Sequence, residues 1–199
     1  MSVKLVVLIS GNGSNLQAIL NACADQTLPA AVVAVISNVP GAYGLTRAHD
    51  AGVPALAFPK AEGEARREYD ARLAALVASY APDFVILAGW MRLLTSDFLA
   101  AFPNRVINLH PALPGTFPGT HAIERAYAAF QRGEITQTGV MVHLVPDEGV
   151  DDGPVLATQE ILFQPGETLE AFETRVHAVE HQLLVETLQA QIANQQSSI

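Results

Sequence analysis

Short runs of β-branched and aliphatic residues alternate along the chain with longer segments whose apolar residues recur every three or four positions. The first four segments of this kind are residues 3–9, 14–24, 30–37 and 43–51. The short runs predict strands and the periodic ones predict helices. The early runs are apolar without strict alternation, which is typical of parallel strands covered on both faces. We therefore expect an α/β fold with a doubly wound, mostly parallel sheet and helices on both faces.

The rest of the chain continues this alternation of strands and helices, interrupted by one loop rich in Pro and Gly. The predicted strands are residues 55–58, 84–87, 105–109, 138–145 and 155–163, and the predicted helices are residues 64–79 and 121–131. A loop rich in Pro and Gly follows residue 110. The last helix carries one apolar stripe formed by Leu169, Phe172, Val176, Val179 and Leu183. Residues 194–199 are polar and are expected to fray. No repeat or long linker divides the chain, which predicts a single domain over residues 1–199.

Charge and cysteine content narrow the class of protein. The chain has 199 residues, 11 Lys and Arg, 20 Asp and Glu, and a formal net charge of −9. This acidic balance argues against nucleic acid or an anionic membrane as the main partner, because both require clustered basic residues. Cys23 is the single cysteine and cannot form an intrachain disulfide. No apolar run approaches the roughly 20 residues of a membrane helix, so a cytoplasmic protein is expected.

A glycine-rich loop lies between the first predicted strand and the first predicted helix. Its sequence, Ser-Gly-Asn-Gly-Ser-Asn-Leu, covers residues 10–16. Free N–H groups at a helix N-terminus favour an anion, which predicts a monophosphate bound by Gly13, Ser14 and Asn15. A dinucleotide fingerprint would need glycine where Leu16 stands. The structural alternative is a capping box formed by Ser14 and Gln17.

Three polar residues at strand ends predict acyl-transfer chemistry. Asn108 and His110 alternate on one predicted strand and so share a face. An amide N–H can stabilise an oxyanion while an imidazole transfers protons. Asp151 is a candidate third member that would orient His110 and raise its pKa, favouring the cation at neutral pH. Taken alone, each has an ordinary alternative: a loop histidine, a backbone cap and a turn carboxylate. No nucleophile motif is present, which favours direct attack by the substrate.

Five segments carry a resemblance to a known family. They are VVLISGNGSNLQAIL from Val6, LAGWMRLL from Leu87, VINLHPALPGTFPGTHA from Val106, VHLVPDEGVDDGP from Val142 and RVHAVEH from Arg175. Over nearly the whole length, the chain resembles the folate-dependent phosphoribosylglycinamide formyltransferases of purine synthesis, also called GAR transformylases. The resemblance implies a formyltransferase-like Rossmann-type fold. It also implies transfer of a formyl group from the co-substrate 10-formyltetrahydrofolate to the amine of phosphoribosylglycinamide (GAR).

The same resemblance implies roles for individual residues. It places the substrate phosphate at Gly13, Ser14 and Asn15, and the ribose or amine of GAR at Glu180. It makes Asn108 a contact of the formyl oxygen, His110 the general acid and base, and Asp151 the residue that tunes His110. The implied folate contacts are Arg66, Asn108 and the backbone around Met91, Arg92, Leu93 and Leu94. The phosphate-binding half would be about residues 1–100, and the folate-binding and catalytic half about residues 101–199.

Several of these assignments have structural alternatives. Arg66 stands beside Arg67, where a solvated charged face is the simpler interpretation. Glu180 fits a structural ion pair, and Met91, Leu93 and Leu94 fit a core. His121, His143, His177 and His181 lack metal-ligand spacing, so no metal is expected. The 143–151 stretch is one residue longer than in the family, which leaves Asp151 or Asp152 to face His110, with the DxGP register favouring Asp151. In the loop at residues 113–117, a proline stands at a different position from that in the family pattern, and a basic residue sometimes seen there is absent.

Other functions remain possible on the same residues. A formyltetrahydrofolate hydrolase uses a similar Asn, His and Asp set with water as the acceptor. Methionyl-tRNA formyltransferase shares the chemistry, but the acidic balance opposes it. A non-catalytic folate- or nucleotide-binding module is the alternative from a different class. The expected partners are the small molecules GAR and formyl-folate, in a monomer or homodimer.

Overall fold

A computed structural model describes residues 2–197 of the chain. The strands are β1 (Val3–Ile9), β2 (Ala30–Ser37), β3 (Ala55–Ala57), β4 (Phe84–Leu87), β5 (Val106–His110), β6 (Gln137–Leu144) and β7 (Val155–Leu162). The helices are α1 (Ser14–Ala24), α2 (Tyr43–Asp50), α3 (Arg66–Ser79), α4 (Ser96–Ala101), α5 (Ala122–Gln131) and α6 (Leu169–Ser197). Within this part of the chain, no helix is long and apolar enough to cross a membrane.

Seven strands of the described residues form one sheet in the order β3-β2-β1-β4-β5-β6-β7. The first five in this order are parallel, whereas β6 is antiparallel to both β5 and β7. The chain crosses from β3 to β4 on the other side of β1, so the direction of winding reverses between β1 and β4. Ligands in open α/β sheets bind at the carboxyl ends of strands beside such a reversal.

Each face of the sheet is covered by its own helices. Leu5, Val7 and Ile9 of β1 pack in one buried cluster with α1, α5 and α6. Val6 and Leu8 of the same strand pack in a second buried cluster with α3 and α4. Alternate residues of β1 therefore enter opposite cores, which is why its sequence is apolar without alternation. The predicted doubly wound architecture is confirmed.

Two features of the fold differ from the sequence-based expectation. Helix α4 was not predicted, because six residues are too few to give a periodic signal. Helix α6 continues to Ser197, through residues that were expected to fray, and residues 198–199 lie outside the described residues. Ile192 is buried and Gln189 Nε2 donates a hydrogen bond to the carbonyl of Thr27. Packing against the α1 end of the molecule thus extends the helix beyond its apolar stripe.

Candidate active site

The glycine loop after β1 is built for close approach to α2. Gly13 has a φ of +76° and directly precedes α1. A Cβ on Gly13 would lie 2.7 Å from the Cα of Gly44 in α2, so a larger residue has no room. Gly44 N donates a 3.1 Å hydrogen bond to the carbonyl of Gly11, which holds the two backbones together. The N–H groups of the first turn of α1 are left to face solvent or an anion.

Arg47 of α2 fixes the same loop from the side. Its Nε donates to the carbonyl of Asn12 at 2.9 Å, and its Nη2 donates to Asn12 Oδ1 at 2.9 Å. Its Nη1 donates to Gln17 Oε1 at 3.2 Å. A guanidinium charge therefore lies beside the open end of α1, where it adds to the attraction for an anion. Sequence reasoning missed Arg47; a basic residue in the helix after the second strand was the available signal.

The capping-box alternative for this loop is wrong. Ser14 is the first residue of α1 rather than its cap, and Gly13 precedes the helix in a left-handed conformation. Within the described residues, α1 has no side-chain cap hydrogen bond. The Asn15 Oδ1 atom is buried without a hydrogen-bond partner in that same part of the chain. Gly13, Ser14 and Asn15 thus lie together at a helix N-terminus whose polar groups are available.

Two side chains of β5 meet the carboxylate of Asp151 in the loop after β6. Asp151 Oδ2 lies 3.2 Å from Nδ1 of His110, and the His110 and Asp151 side chains are 5% and 11% exposed. Asp151 Oδ1 accepts a 3.0 Å hydrogen bond from Nδ2 of Asn108. Asp152 is exposed. Asp151, not Asp152, therefore faces His110.

Asp151 is held in an uncommon backbone conformation. Its φ is +53°, a region that Asp tolerates better than most residues. The N–H of Gly119 donates a 2.8 Å hydrogen bond to Asp151 Oδ2, which ties the carboxylate to the Pro- and Gly-rich loop. Burial raises the pKa of Asp151, but the Gly119 N–H and His110 help to hold it below its ordinary value. The carboxylate is therefore charged at neutral pH.

His143 is a fourth member of this cluster that sequence reasoning considered only as a metal ligand. The strand register pairs it with Asn108. Its Nδ1 lies 2.8 Å from the carbonyl of Leu144, and its Nε2 lies 3.1 Å from Nδ2 of Asn108. Because a carbonyl can only accept, we assign the ring proton to Nδ1 and an acceptor role to Nε2. Both amide hydrogens of Asn108 then have partners, which fixes the orientation of the amide.

The environment of His110 overturns the expected direction of its pKa. Burial lowers the pKa of His110 below its ordinary value, although Asp151 and the Phe117 carbonyl oppose this effect. The Nε2 atom lies 3.1 Å from that carbonyl. Arg125 donates 2.7 Å hydrogen bonds to the carbonyls of Phe117 and Pro118 and holds their loop in place. The expectation of a cationic His110 at neutral pH is therefore wrong, because desolvation outweighs the carboxylate.

The segment after β4, the strand next to β5, exposes apolar side chains. Met91 and Leu93 are 65% and 48% exposed, whereas Leu94 is 4% exposed. The core alternative therefore fails for Met91 and Leu93 and applies to Leu94. Met91 N donates a 2.8 Å hydrogen bond to Ser10 Oγ, which joins this segment to the end of β1. The guanidinium of Arg92 lies 4.8 Å from the centre of the Tyr69 ring and so turns toward α3.

Arg66 does not lie on a purely solvated face. Its Nε donates to the carbonyl of Leu93 at 3.2 Å, and its Nη2 donates to the carbonyl of Leu94 at 3.1 Å. The same Nη2 lies 3.1 Å from an oxygen of Glu148. The structure thus brings Arg66 to the segment that sequence reasoning assigned to folate, where it binds protein backbone.

Glu180 lies on α6 and forms an ion pair, as its structural alternative predicted. Its Oε2 lies 2.6 Å from Nδ1 of His177, and its side chain is 6% exposed. The hydrogen bond to Glu180 raises the pKa of His177. His181 lies one helical turn after His177. It lines a cleft of about 800 Å³ between α1 and α6 that also borders Ser14 and Arg47. Helix α6 is thereby brought to the glycine loop.

Comparisons with known proteins agree with this architecture. Residues 3–188 match the family model described as formyl transferase. The chain is 46% identical over 200 residues to the phosphoribosylglycinamide formyltransferase of Schizosaccharomyces pombe, covering 94% of this chain and 96% of that protein. It is 38% identical over 179 residues to the Escherichia coli protein of the same name, covering 90% and 82%.

Solved structures give the same result. The glycinamide ribonucleotide transformylase 1 of Geobacillus kaustophilus superposes with a TM-score of 0.89 at 37% identity, covering 96% of this chain and 99% of that one. The corresponding protein of Symbiobacterium toebii gives a TM-score of 0.88 at 41% identity, covering 94% and 86%. The chain belongs to the formyl transferase family.

In this formyltransferase, three segments that are far apart in sequence follow or end neighbouring strands of the sheet. The glycine loop follows β1, the exposed apolar segment follows β4, and Asn108 and His110 end β5. No group of three or more His, Cys, Asp or Glu that could hold a metal ion occurs within residues 2–197. The side chains that meet at the end of β5 carry amide, imidazole and carboxylate groups.

Proposed function

We propose that the protein transfers the formyl group of 10-formyltetrahydrofolate to the amine of GAR in de novo purine synthesis. The observation that carries this proposal is the Asn108, His110 and Asp151 cluster at the end of β5, on the same sheet edge as the glycine loop. The loop offers a site for the phosphate of GAR, and the cluster offers a site for the reacting atoms. The curated relatives that match nearly the full chain carry the corresponding name.

GAR would bind with its phosphate at Gly13, Ser14 and Asn15. The backbone N–H groups at the start of α1 would donate to the phosphate, and Arg47 would add a fixed positive charge behind the loop. Glu180 would face the ribose or amine of GAR from α6. The formyl-folate would lie against Met91, Leu93 and the backbone of residues 91–94, where apolar side chains can cover its ring. Asn108 would contact its formyl oxygen.

The reaction would begin with attack of the uncharged amine of GAR on the formyl carbon. The new carbon–nitrogen bond forms as the carbonyl electrons move to the oxygen, and the bond from carbon to N10 of the folate then breaks. Neutral His110 would take the proton from the attacking nitrogen and deliver it to N10. Asp151 faces Nδ1, so Nε2 is the atom that would serve the substrates, and to do so it would have to exchange its contact with the Phe117 carbonyl, 3.1 Å away, for one with the reacting nitrogen.

Asn108 would stabilise the oxyanion of the tetrahedral intermediate. Its two amide hydrogens are engaged by Asp151 and His143. The proposal therefore requires that the formyl oxygen replace or share one of these acceptors. Binding both substrates on one sheet edge supplies the orientation that a bimolecular reaction lacks.

The rival functions differ in which ligand they need. A hydrolase would use the same cluster with water but has no use for a phosphate loop braced by Arg47. A tRNA substrate is opposed by the net charge of −9. Our proposal also includes a cytoplasmic location and a monomer or homodimer.

Folate absorbance followed over time, with and without GAR, tests the proposal. We expect formyl loss from 10-formyltetrahydrofolate only when GAR is present, at a rate that depends on enzyme concentration. Formyl loss without GAR would instead identify a hydrolase. No change with active folate and GAR would leave a binding module and would contradict the proposal.

A further inference from the structure

Helix α3 holds the segment after β4 through two side chains. Arg66 donates to the carbonyls of Leu93 and Leu94. One turn later, Asp70 Oδ2 accepts a 2.7 Å hydrogen bond from the N–H of Thr95. Asp70 is fully buried, and its Oδ1 has no hydrogen-bond partner in the described part of the chain. A buried carboxylate is costly unless hydrogen-bonded, so this contact restricts where residue 95 can lie.

Glu148 holds the next residue from the opposite side. Its Oε1 accepts a 2.8 Å hydrogen bond from the N–H of Ser96, and its Oε2 lies 3.1 Å from Nη2 of Arg66. Backbone groups of four consecutive residues, 93–96, are thus bound by side chains of α3 and of the loop after β6. We call Arg66, Asp70 and Glu148 the clamp.

Glu148 lies three residues before Asp151, and the turn between them is tight. Gly149 N donates a 2.8 Å hydrogen bond to Asp147 Oδ1. A Cβ on Gly153 would collide with the backbone carbonyl of Leu144, so the end of this loop closes tightly against β6. Asp151, at a φ of +53°, is anchored at the other end of this turn by the contacts of its carboxylate with His110, Asn108 and Gly119. A shift of Glu148 would therefore be passed on to Asp151.

We propose that Glu148 is a positioning residue that couples the folate-facing segment, residues 91–94, to the placement of Asp151. The proposal rests on the proposed function, because it takes residues 91–94 as the folate site. Glu148 touches no reacting atom in it. Through Ser96 and Arg66 it fixes the segment, and through the Gly149 turn it fixes the carboxylate that orients His110. A change in the folate-facing segment when formyl-folate binds would then also change the position of Asp151 and, through it, the orientation of His110.

Steady-state kinetics of Glu148→Ala, Glu148→Gln, Arg66→Ala and the Arg66→Ala/Glu148→Ala double variant test the coupling. For Glu148→Ala we expect a KM for 10-formyltetrahydrofolate raised about tenfold and a kcat lowered about tenfold, within the range of ordinary coupling effects. The KM for GAR should change less than twofold. Glu148→Gln keeps an acceptor for Ser96 N–H and should recover part of both losses. The double variant should lose less than the product of the single effects.

Glu134→Gln is the matched control, because Glu134 pairs with Arg132 at 2.6 Å on an exposed turn after α5. It should leave all three kinetic parameters unchanged. Equal rises in both KM values, or multiplicative effects in the double variant, would overturn the proposal.

Amide hydrogen exchange of the ligand-free protein separates this proposal from the proposed function. In Glu148→Ala we expect faster exchange both at residues 95–96 and at residues 149–152, with α3 unchanged. Faster exchange at residues 95–96 alone would show that the two segments are not coupled. If the wild-type protein showed no GAR-dependent transfer, the proposed function would fail, and the exchange pattern would still decide whether Glu148 links the segments.

Discussion

His110 combines two opposing influences on one imidazole. Its ring nitrogens face a carboxylate and a backbone carbonyl, and both would stabilise the cation. Burial disfavours that cation and has the larger effect, so the pKa of His110 is lowered. A base that is neutral before the reaction can accept the proton of the attacking amine. The same neighbours that fail to charge His110 at rest would stabilise it once it has accepted this proton.

The pH dependence of kcat/KM should reflect this lowered pKa. The neutral base is present above the pKa of His110, so activity should fall as the pH drops through a value below 6.5, the ordinary value of histidine. Asp151→Asn removes the carboxylate that opposes the effect of burial. The variant should therefore have a lower rate and an acid limb at still lower pH. The amine of GAR also loses its proton in this range, so the limb that belongs to His110 is identified by its shift to lower pH in Asp151→Asn. An acid limb that stays in place in that variant would contradict this assignment.

Removing the reacting groups should reduce the rate without unfolding the protein. For His110→Ala and Asn108→Ala we expect kcat to fall about a hundredfold or more, the usual cost of losing a proton-transfer group or an oxyanion donor. His49→Ala is the control, because the His49 side chain is 85% exposed and pairs only with its neighbour Asp50 among the described residues. Circular dichroism should show all three variants folded. Near-normal turnover by either site variant would exclude the mechanism.

Among single residues, the sequence predicted site members best where a polar residue stands at the end of a predicted strand. Asn108 and His110 could be paired from alternation alone. His143 could not, because its role comes from the antiparallel register of β5 and β6, which places it opposite Asn108 across 35 residues of chain. Glu148 was missed for the same reason: its partners, Ser96 and Arg66, are 52 and 82 residues away.

At the scale of elements, the close packing of α1 against α2 shapes the glycine loop after β1. The approach of Gly13 to Gly44 leaves no room for a side chain, and Arg47 then reaches Asn12 and Gln17. The loop is held from outside by α2 rather than by capping within α1. Its N–H groups thereby remain available to a ligand.

Gly13→Ala should lower stability and weaken GAR binding together. The substitution combines a left-handed backbone, which costs of order 1–3 kcal/mol for a non-glycine residue, with a collision against Gly44. Gly52→Ala is the matched control, because Gly52 has a φ of +71° but no atom within 4 Å of its Cβ position. Thermal unfolding should show a larger loss for Gly13→Ala, and the KM for GAR should rise only in that variant. Equal losses and an unchanged KM would mean that the contact with Gly44 does not shape the site.

Element boundaries were predictable where hydrophobic burial sets them and failed where a distant contact does. Strands β1, β2 and β4 lie where the apolar runs predict them. Helix α4 instead begins where Asp70 and Glu148 accept the N–H groups of Thr95 and Ser96. Helix α6 extends past its apolar stripe through contacts with the end of α1. The two carboxylate acceptors and the contact between α6 and the end of α1 all come from distant parts of the sequence. The hydrophobic periodicity of α4 and α6 therefore could not predict where these helices begin or end.

At the scale of the molecule, the ends of three neighbouring parallel strands, β1, β4 and β5, each contribute a different part of the site. In the proposed function, the loop after β1 binds the phosphate, the exposed apolar segment after β4 binds the folate, and β5 carries Asn108 and His110. Ser10 links the first two, because its Oγ accepts from Met91 N while its own N–H donates to the carbonyl of Gly89. The two substrates would therefore occupy separate subsites that meet at His110.

Ligand-induced stabilisation should show these separate subsites. A ligand at a hundred times its Kd stabilises the folded state by about 2.7 kcal/mol, which for a chain of this size raises Tm by roughly 5–10 °C. GAR and tetrahydrofolate should each raise Tm alone. Gly13→Ala should reduce the shift caused by GAR and keep the shift caused by folate. Glu148→Ala should keep the shift caused by GAR and lose about half of the shift caused by folate, as a roughly tenfold weaker affinity implies. Loss of both shifts in either variant would mean that the anion site and the folate-facing segment form one cooperative pocket rather than two subsites.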